Sequence, residues 1–97
     1  MLFSEKIRSL RELQQIPQRQ LAEALNIDTP MYSRIERGER PAKREQVILL
    51  SKILQTDTNS LINLWLADKV YVIIEEEENA YDILNIVAES IVEYKKG

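Results

Sequence analysis

The 97-residue sequence contains neither cysteine nor histidine. The lack of cysteine excludes a disulfide framework and a thiolate metal site. The lack of histidine removes the commonest general base and the commonest metal ligand. The carboxylates are scattered over polar helix faces, so no arrangement for acid–base or nucleophilic catalysis can be drawn. We therefore expect no enzyme, no cofactor and no bound metal.

Long apolar runs are also missing, and glycine and proline occur only two and three times. No run approaches the roughly 18 residues that a transmembrane helix requires. Four of the first eleven residues are charged, so this stretch lacks the apolar core of a secretory signal. The length corresponds to about one domain. We therefore expect a cytoplasmic protein built from one helix-rich core.

The net charge of −3 is distributed unevenly along the chain. Residues 1–56 hold ten Lys or Arg and seven Asp or Glu (net +3), whereas residues 57–97 hold three and nine (net −6). A polyanionic partner responds to the local field rather than to the net charge. On charge alone, the basic strip is either a solvated surface or a phosphate-binding surface. Its cations are Arg34, Arg37, Arg40, Lys43 and Arg44.

Apolar residues recurring every three or four positions predict an all-α fold. The predicted helices are one ended by Pro17, then about 18–25, 29–37 and 44–54, one beginning near 58, and about 79–94. Residues 70–74 are five consecutive strand formers, for which we favour a continued helix because a lone strand has no partner in the chain; a strand paired across a dimer is the alternative. The candidate caps and stops are Ser4, Asn26, Asp28 or Thr29, Gly38, and Asp57 with Thr58.

Residues 18–38 have the pattern of a helix-turn-helix, in which a tight turn joins two short helices. Ala22 is small enough to let the helices approach each other. Asn26 tolerates the unusual backbone of the turn, and Ile27 supplies an apolar plug. In the second helix, Tyr32 and Ile35 have the spacing of buried residues, with polar residues between them.

This stretch resembles the helix-turn-helix domain of the phage repressor and Cro family, also called the XRE family, over residues 7–54. The matching residues are Gln18, Leu21-Ala22, Leu25, Ile27 and Tyr32-Ser33-Arg34-Ile35-Glu36-Arg37-Gly38. The resemblance implies a five-helix repressor-like core and a sequence-specific transcriptional regulator whose second helix enters the major groove of double-stranded DNA. We expect the DNA-binding core to comprise residues 1–56.

The resemblance also implies roles for individual residues. Base reading falls to Thr29, Pro30, Ser33 and Arg34, of which Arg34 is able to contact guanine O6 and N7 with two hydrogen bonds. A phosphate contact or a solvated side chain is the alternative for Arg34. Phosphate binding falls to Gln18, Arg37, Arg40, Lys43 and Arg44.

Two charged residues match a pair found in some family members. Arg11 and Glu36 occupy these positions, and we expect their head groups to lie within about 6 Å, an ion pair that orients the recognition helix. Four residues depart from the family pattern, and they leave the course of the loop after Gly38 open. They are Pro17, Asn26, Ala42 and Arg44.

Residues 57–97 exceed what the core needs. The last helix has a wide apolar face, and such a patch usually marks an interface. Because readers of this kind bind two half-sites as two-fold dimers, we expect residues 57–97 to form a helical dimerisation extension. Their acidic excess serves either solubility or a basic protein partner, and the alternative function is therefore a DNA-binding antitoxin whose C-terminal helices bind a toxin.

Overall fold

The computed structural model describes residues 1–96, and within them it contains six helices and no strand. The all-α prediction is therefore confirmed. No helix among these residues combines the length and hydropathy needed to span a bilayer. The helices are α1 (Leu2–Leu13), α2 (Gln18–Ala24), α3 (Thr29–Glu36), α4 (Arg44–Ile53), α5 (Thr58–Ile74) and α6 (Ala80–Lys96).

Two of the predicted N-caps form as expected. The Asp28 carboxylate accepts a hydrogen bond from the Met31 amide at 2.7 Å, and Asp57 does the same for Ser60 at 2.8 Å. Each bond satisfies an amide that the first turn of a helix leaves without a partner. Asn26, in the turn after α2, has the predicted left-handed conformation with a φ of 58°. These local signals fix where α3 and α5 begin.

The start of α1 differs from the prediction that Ser4 is its N-cap. The helix already begins at Leu2, and Ser4 is buried inside its first turn, where the hydroxyl donates to the Met1 carbonyl. The acceptor for the first amides comes from α5. Asp68 accepts from the Leu2 amide at 3.0 Å and from the Phe3 amide at 2.9 Å. This carboxylate, itself only 8% exposed, caps α1 from 65 residues away.

The five helices from α1 through α5 share one apolar core. Leu61 and Trp65 follow the expected domain boundary at residue 56, yet they are 1% and 9% exposed and complete this core. The first half of α5 therefore packs with the helices that precede it. The largest fully buried apolar side chains are Ile7, Leu21, Tyr32, Ile35, Val47, Leu50, Leu54 and Leu61.

The helix α5 continues through residues 70–74, so the strand alternative is wrong. Beyond Trp65, however, its apolar side chains are largely exposed, and Ile73 is 78% exposed. The helix α6 packs little against the rest of the chain. Its exposed apolar residues are Tyr81, Leu84, Ile86, Val87, Ile91, Val92 and Tyr94.

Candidate nucleic-acid interface

The helix α3 has one buried side and one exposed side. Tyr32 and Ile35 are 0% and 2% exposed and anchor the helix in the core. The four residues predicted to read bases lie on the opposite side, where Ser33 is partly exposed and the other three are exposed. A side chain must be accessible in this way to contact a base edge. The four residues are Thr29, Pro30, Ser33 and Arg34.

The turn between α2 and α3 fixes the angle at which α3 leaves the core. Ala22 is 1% exposed, and its carbonyl accepts a hydrogen bond from the Ile27 amide at 3.0 Å. Ile27 packs against the core. The left-handed Asn26 reverses the chain between them. A helix-turn-helix is thus formed by the residues that the sequence assigned to it.

A buried ion pair holds the far end of α3. Two nitrogens of the Arg11 guanidinium contact the Glu36 carboxylate, Nη2 to Oε1 at 2.7 Å and Nε to Oε2 at 2.9 Å. Arg11 also donates to the Ile16 carbonyl at 3.0 Å. The predicted pair is confirmed, and it is more enclosed than a surface pair because the Glu36 side chain is only 2% exposed.

The enclosure affects the titration of this cluster. Burial alone would raise the pKa of Glu36, but hydrogen bonds from Arg11 and its positive charge outweigh burial and hold that pKa below its ordinary value. The hydrogen bond to Glu36 likewise raises the pKa of Arg11. Burial, and then the neighbouring Glu36, raise the pKa of Tyr32. The Tyr32 hydroxyl has no hydrogen-bond partner among residues 1–96.

Gln18, predicted to bind phosphate, belongs to the same cluster. Its side-chain amide lies 3.4 Å from Glu36 Oε1, so it faces a protein partner in the free molecule. Gln18 is partly exposed at the beginning of α2. A phosphate contact would therefore compete with this long hydrogen bond.

Arg37 directly follows α3 and contacts another predicted site residue. Its guanidinium donates to the Ser33 hydroxyl at 3.0 Å and pairs with Glu39 at 2.8 Å. Both members of the ion pair are more than half exposed, so the pair contributes little stability and is readily exchanged. Arg37 is thus accessible for the predicted phosphate contact, beside the side of α3 that is predicted to read bases.

The loop of residues 38–43 brings the remaining predicted cations together. Gly38 has a φ of 76°, and a Cβ added there would lie 3.3 Å from the Ser4 hydroxyl. Glycine therefore provides both the left-handed turn after α3 and the close approach to α1. Arg40, Lys43 and Arg44 are all exposed, and they line one groove.

Two residues of α5 that the sequence did not suggest lie in the same groove. Trp65 contributes its ring, and Lys69 lies over that ring with its ammonium 4.1 Å from the centroid. The only available signal was the spacing of four between them, which puts both on one face of a helix. No group of three or more potential metal ligands forms within residues 1–96.

The comparisons with known proteins agree with this geometry. Residues 7–61 match the helix-turn-helix family that contains the XRE regulators. No curated protein and no solved structure shows significant similarity to the chain. The match covers more than half of the sequence, including the anchored and exposed sides of α3. The chain therefore belongs to the XRE family of helix-turn-helix proteins and is a DNA-binding transcription regulator of that type.

Proposed function

We propose that the protein is a homodimeric, sequence-specific regulator that binds a two-fold DNA operator and reads the major groove with α3. The observation that carries the proposal is the two-sided construction of α3. Its reading side is exposed, while Tyr32 and the Arg11–Glu36 pair fix its other side. A recognition element needs both properties, because base contacts are specific only when the backbone that presents them is rigid.

The contacts divide into those that position the protein and those that read sequence. Phosphate contacts fix register and orientation without sequence information. We assign that role to Gln18 and the cations that follow α3. Base reading is assigned to the exposed row, with Arg34 as its strongest donor because its planar fork matches guanine O6 and N7. The phosphate-binding cations are Arg37, Arg40, Lys43 and Arg44.

The dimer is assigned to residues 57–97, with residues 1–56 as the DNA-binding core that the first turns of α5 complete. The apolar stripe of α6 is exposed in the single chain. Complete burial of one large apolar side chain is worth about 1.5–3 kcal/mol, and a two-fold interface uses each residue twice. Summed over the apolar stripe of both copies, the free energy of burial is comparable with the roughly 4–15 kcal/mol that association costs. The stripe includes Leu84, Val87, Ile91 and Tyr94.

Selection of bound sites from random double-stranded DNA tests the proposed function. The intact protein should enrich a sequence with two-fold symmetry, because two identical helices read identical half-sites. The half-site centres should lie about 10–10.5 base pairs, or about 34 Å, apart. Recovery of no common sequence would contradict specific recognition. An enriched sequence without symmetry would contradict the dimer while keeping the reading role of α3.

Ile91→Glu should convert the protein from a dimer to a monomer. Ile91 is 52% exposed in the single chain, so the change leaves the core intact while placing a charge in the centre of the apolar stripe. Light scattering at micromolar concentration measures the result. Operator affinity should fall steeply, whereas affinity for an isolated half-site should not change.

Asn85→Glu is the matched control, because it adds the same charge to the polar side of α6 and should leave a dimer. A dimeric Ile91→Glu protein would place the interface elsewhere. A monomeric wild-type protein would overturn the homodimer. That result would favour a different protein as the partner of the apolar stripe, as in the antitoxin alternative.

A further inference from the structure

A groove runs between the loop after α3 and the middle of α5. Trp65 forms its floor and donates from its indole Nε1 to the Ala42 carbonyl at 3.0 Å. This bond fixes the loop to α5, because both the nitrogen and the carbonyl are buried. The groove has a volume of about 570 Å³. The floor of the groove is therefore fixed by the core, whereas its walls include exposed Arg and Lys side chains.

Four cations line the groove, and no carboxylate pairs with them among residues 1–96. Arg44 and Lys69 lie over the Trp65 ring, 5.4 and 4.1 Å from its centroid. Arg40 and Lys43 complete the lining, which contains no acidic residue. Within residues 1–96, none of these four cations lies within ion-pair distance of a carboxylate. The electron-rich face of the ring attracts Arg44 and Lys69 but neutralises neither.

Lys69 is an isolated cation in an acidic part of the sequence. Residues 57–94 contain one cation, Lys69, among nine acidic residues. That single cation lies in the groove with Arg40, Lys43 and Arg44. The loop itself begins where the reading helix ends, since the Arg40 amide donates to the Arg34 carbonyl at 3.3 Å. The Arg40 end of the groove therefore lies next to the last turn of α3, the helix proposed to contact the duplex.

We propose that the groove binds a backbone phosphate of the DNA duplex and that Lys69, on α5, is a phosphate-binding residue. The inference rests on the proposed DNA-reading role of α3 and extends the DNA-binding surface beyond the helix-turn-helix. A phosphate seated there receives charge from the loop and from α5 together. It also relieves the repulsion among the four cations. A bound phosphate would thereby bridge the loop and α5, the first helix of residues 57–97, to which the dimer is assigned.

Lys69→Gln tests the inference, because it removes one charge from an exposed side chain and leaves the Trp65–Ala42 bond in place. Affinity is measured for the selected operator and for an unrelated duplex over a series of salt concentrations. Both affinities should fall by the same factor, about fivefold per half-site at 0.15 M salt. The slope of log affinity against log salt should become shallower by about 0.9 per half-site. Lys52→Gln, the same change on α4 outside the groove, should leave the slope unaltered.

Lys69→Arg should keep the wild-type slope, because it restores the charge. Trp65 is the only tryptophan in the chain, so its fluorescence reports directly on the groove. Duplex DNA should alter that fluorescence at concentrations where inorganic phosphate does not.

Two outcomes would overturn the inference. The first is a Lys69→Gln protein with wild-type affinity and slope while the wild type binds DNA normally. The second is a Trp65 response to inorganic phosphate that Lys69→Gln abolishes without any effect on DNA binding, which would identify a site for small anions. A wild-type protein that binds no duplex would instead overturn the proposed function itself.

Discussion

Arg34→Ala is expected to weaken operator binding by about 1–3 kcal/mol per half-site and to relax the preference at one base pair. Arg34 is exposed on α3, and no carboxylate among residues 1–96 pairs with it. Its guanidinium is therefore free to donate both hydrogen bonds to guanine. Affinities for the operator and for a duplex with that base pair changed in both half-sites measure the effect. The wild type should discriminate between the two duplexes, and Arg34→Ala should not.

Arg40→Ala and Lys43→Ala provide the comparison. Each should weaken binding to both duplexes by the same factor. Each should also reduce the salt dependence of binding by about one phosphate per half-site. If Arg34→Ala behaves in the same way, Arg34 is a phosphate contact, and base reading falls to Thr29, Pro30 and Ser33. If none of the three substitutions changes binding, the helix-turn-helix serves as a scaffold for another interaction.

Arg11→Met should lower the free energy of unfolding by about 3 kcal/mol, because it leaves the Glu36 carboxylate buried without its partner. The Glu36 side chain is 2% exposed and that of Arg11 is 14% exposed. Urea denaturation measures the loss. Arg8→Met is the matched control on the same helix. Its pair with Glu12 is more than half exposed on both sides, so a much smaller change is expected.

The double substitution Arg11→Met with Glu36→Met identifies the cause of the loss. Replacing both members of a buried pair with apolar residues is often neutral. The double variant should therefore be more stable than Arg11→Met alone. A single variant as stable as Arg8→Met would show that the pair adds nothing. A double variant less stable than the single one would show that the cost arises from lost packing.

The same pair should contribute to acid sensitivity. The pKa of Glu36 lies lower in the folded protein than in the unfolded chain, so folding is favoured with the carboxylate charged. This stabilisation is complete above the ordinary glutamate pKa and is lost as the pH falls through the lower, folded-state value. In Arg11→Met this part of the acid-induced loss should disappear. Unfolding measured between about pH 3 and pH 7 compares the two proteins.

Local patterns in the sequence predicted the features that local chemistry controls. Asp28 and Asp57 cap their helices because a carboxylate three residues ahead of a free amide needs nothing from the rest of the fold. The Arg11–Glu36 pair was predictable for a different reason. Both residues occupy positions that the family resemblance already placed together.

Contacts between distant parts of the chain were not predictable. Ser4 has the sequence signature of an N-cap, but Asp68 supplies the acceptor and lets α1 begin earlier. Nothing near Asp68 in the sequence indicates this role. The groove around Trp65 has the same origin, since it exists only where the loop meets α5. The roles assigned to individual residues in DNA binding remain predictions.

The capping of α1 by Asp68 has a mechanical consequence. Near its C-terminal end, α1 is held to α3 by the Arg11–Glu36 ion pair, and at its N-terminal end it is held to α5 by Asp68. Both ends of this helix, which is about 18 Å long, are therefore fixed to other helices. A shift of α5 is then passed on to α3 instead of being absorbed by local bending. In a dimer whose contacts include the exposed apolar residues of α5, the orientation of each reading helix would therefore follow that of the interface. Such a protein would reject operators of the wrong half-site spacing as well as those of the wrong sequence.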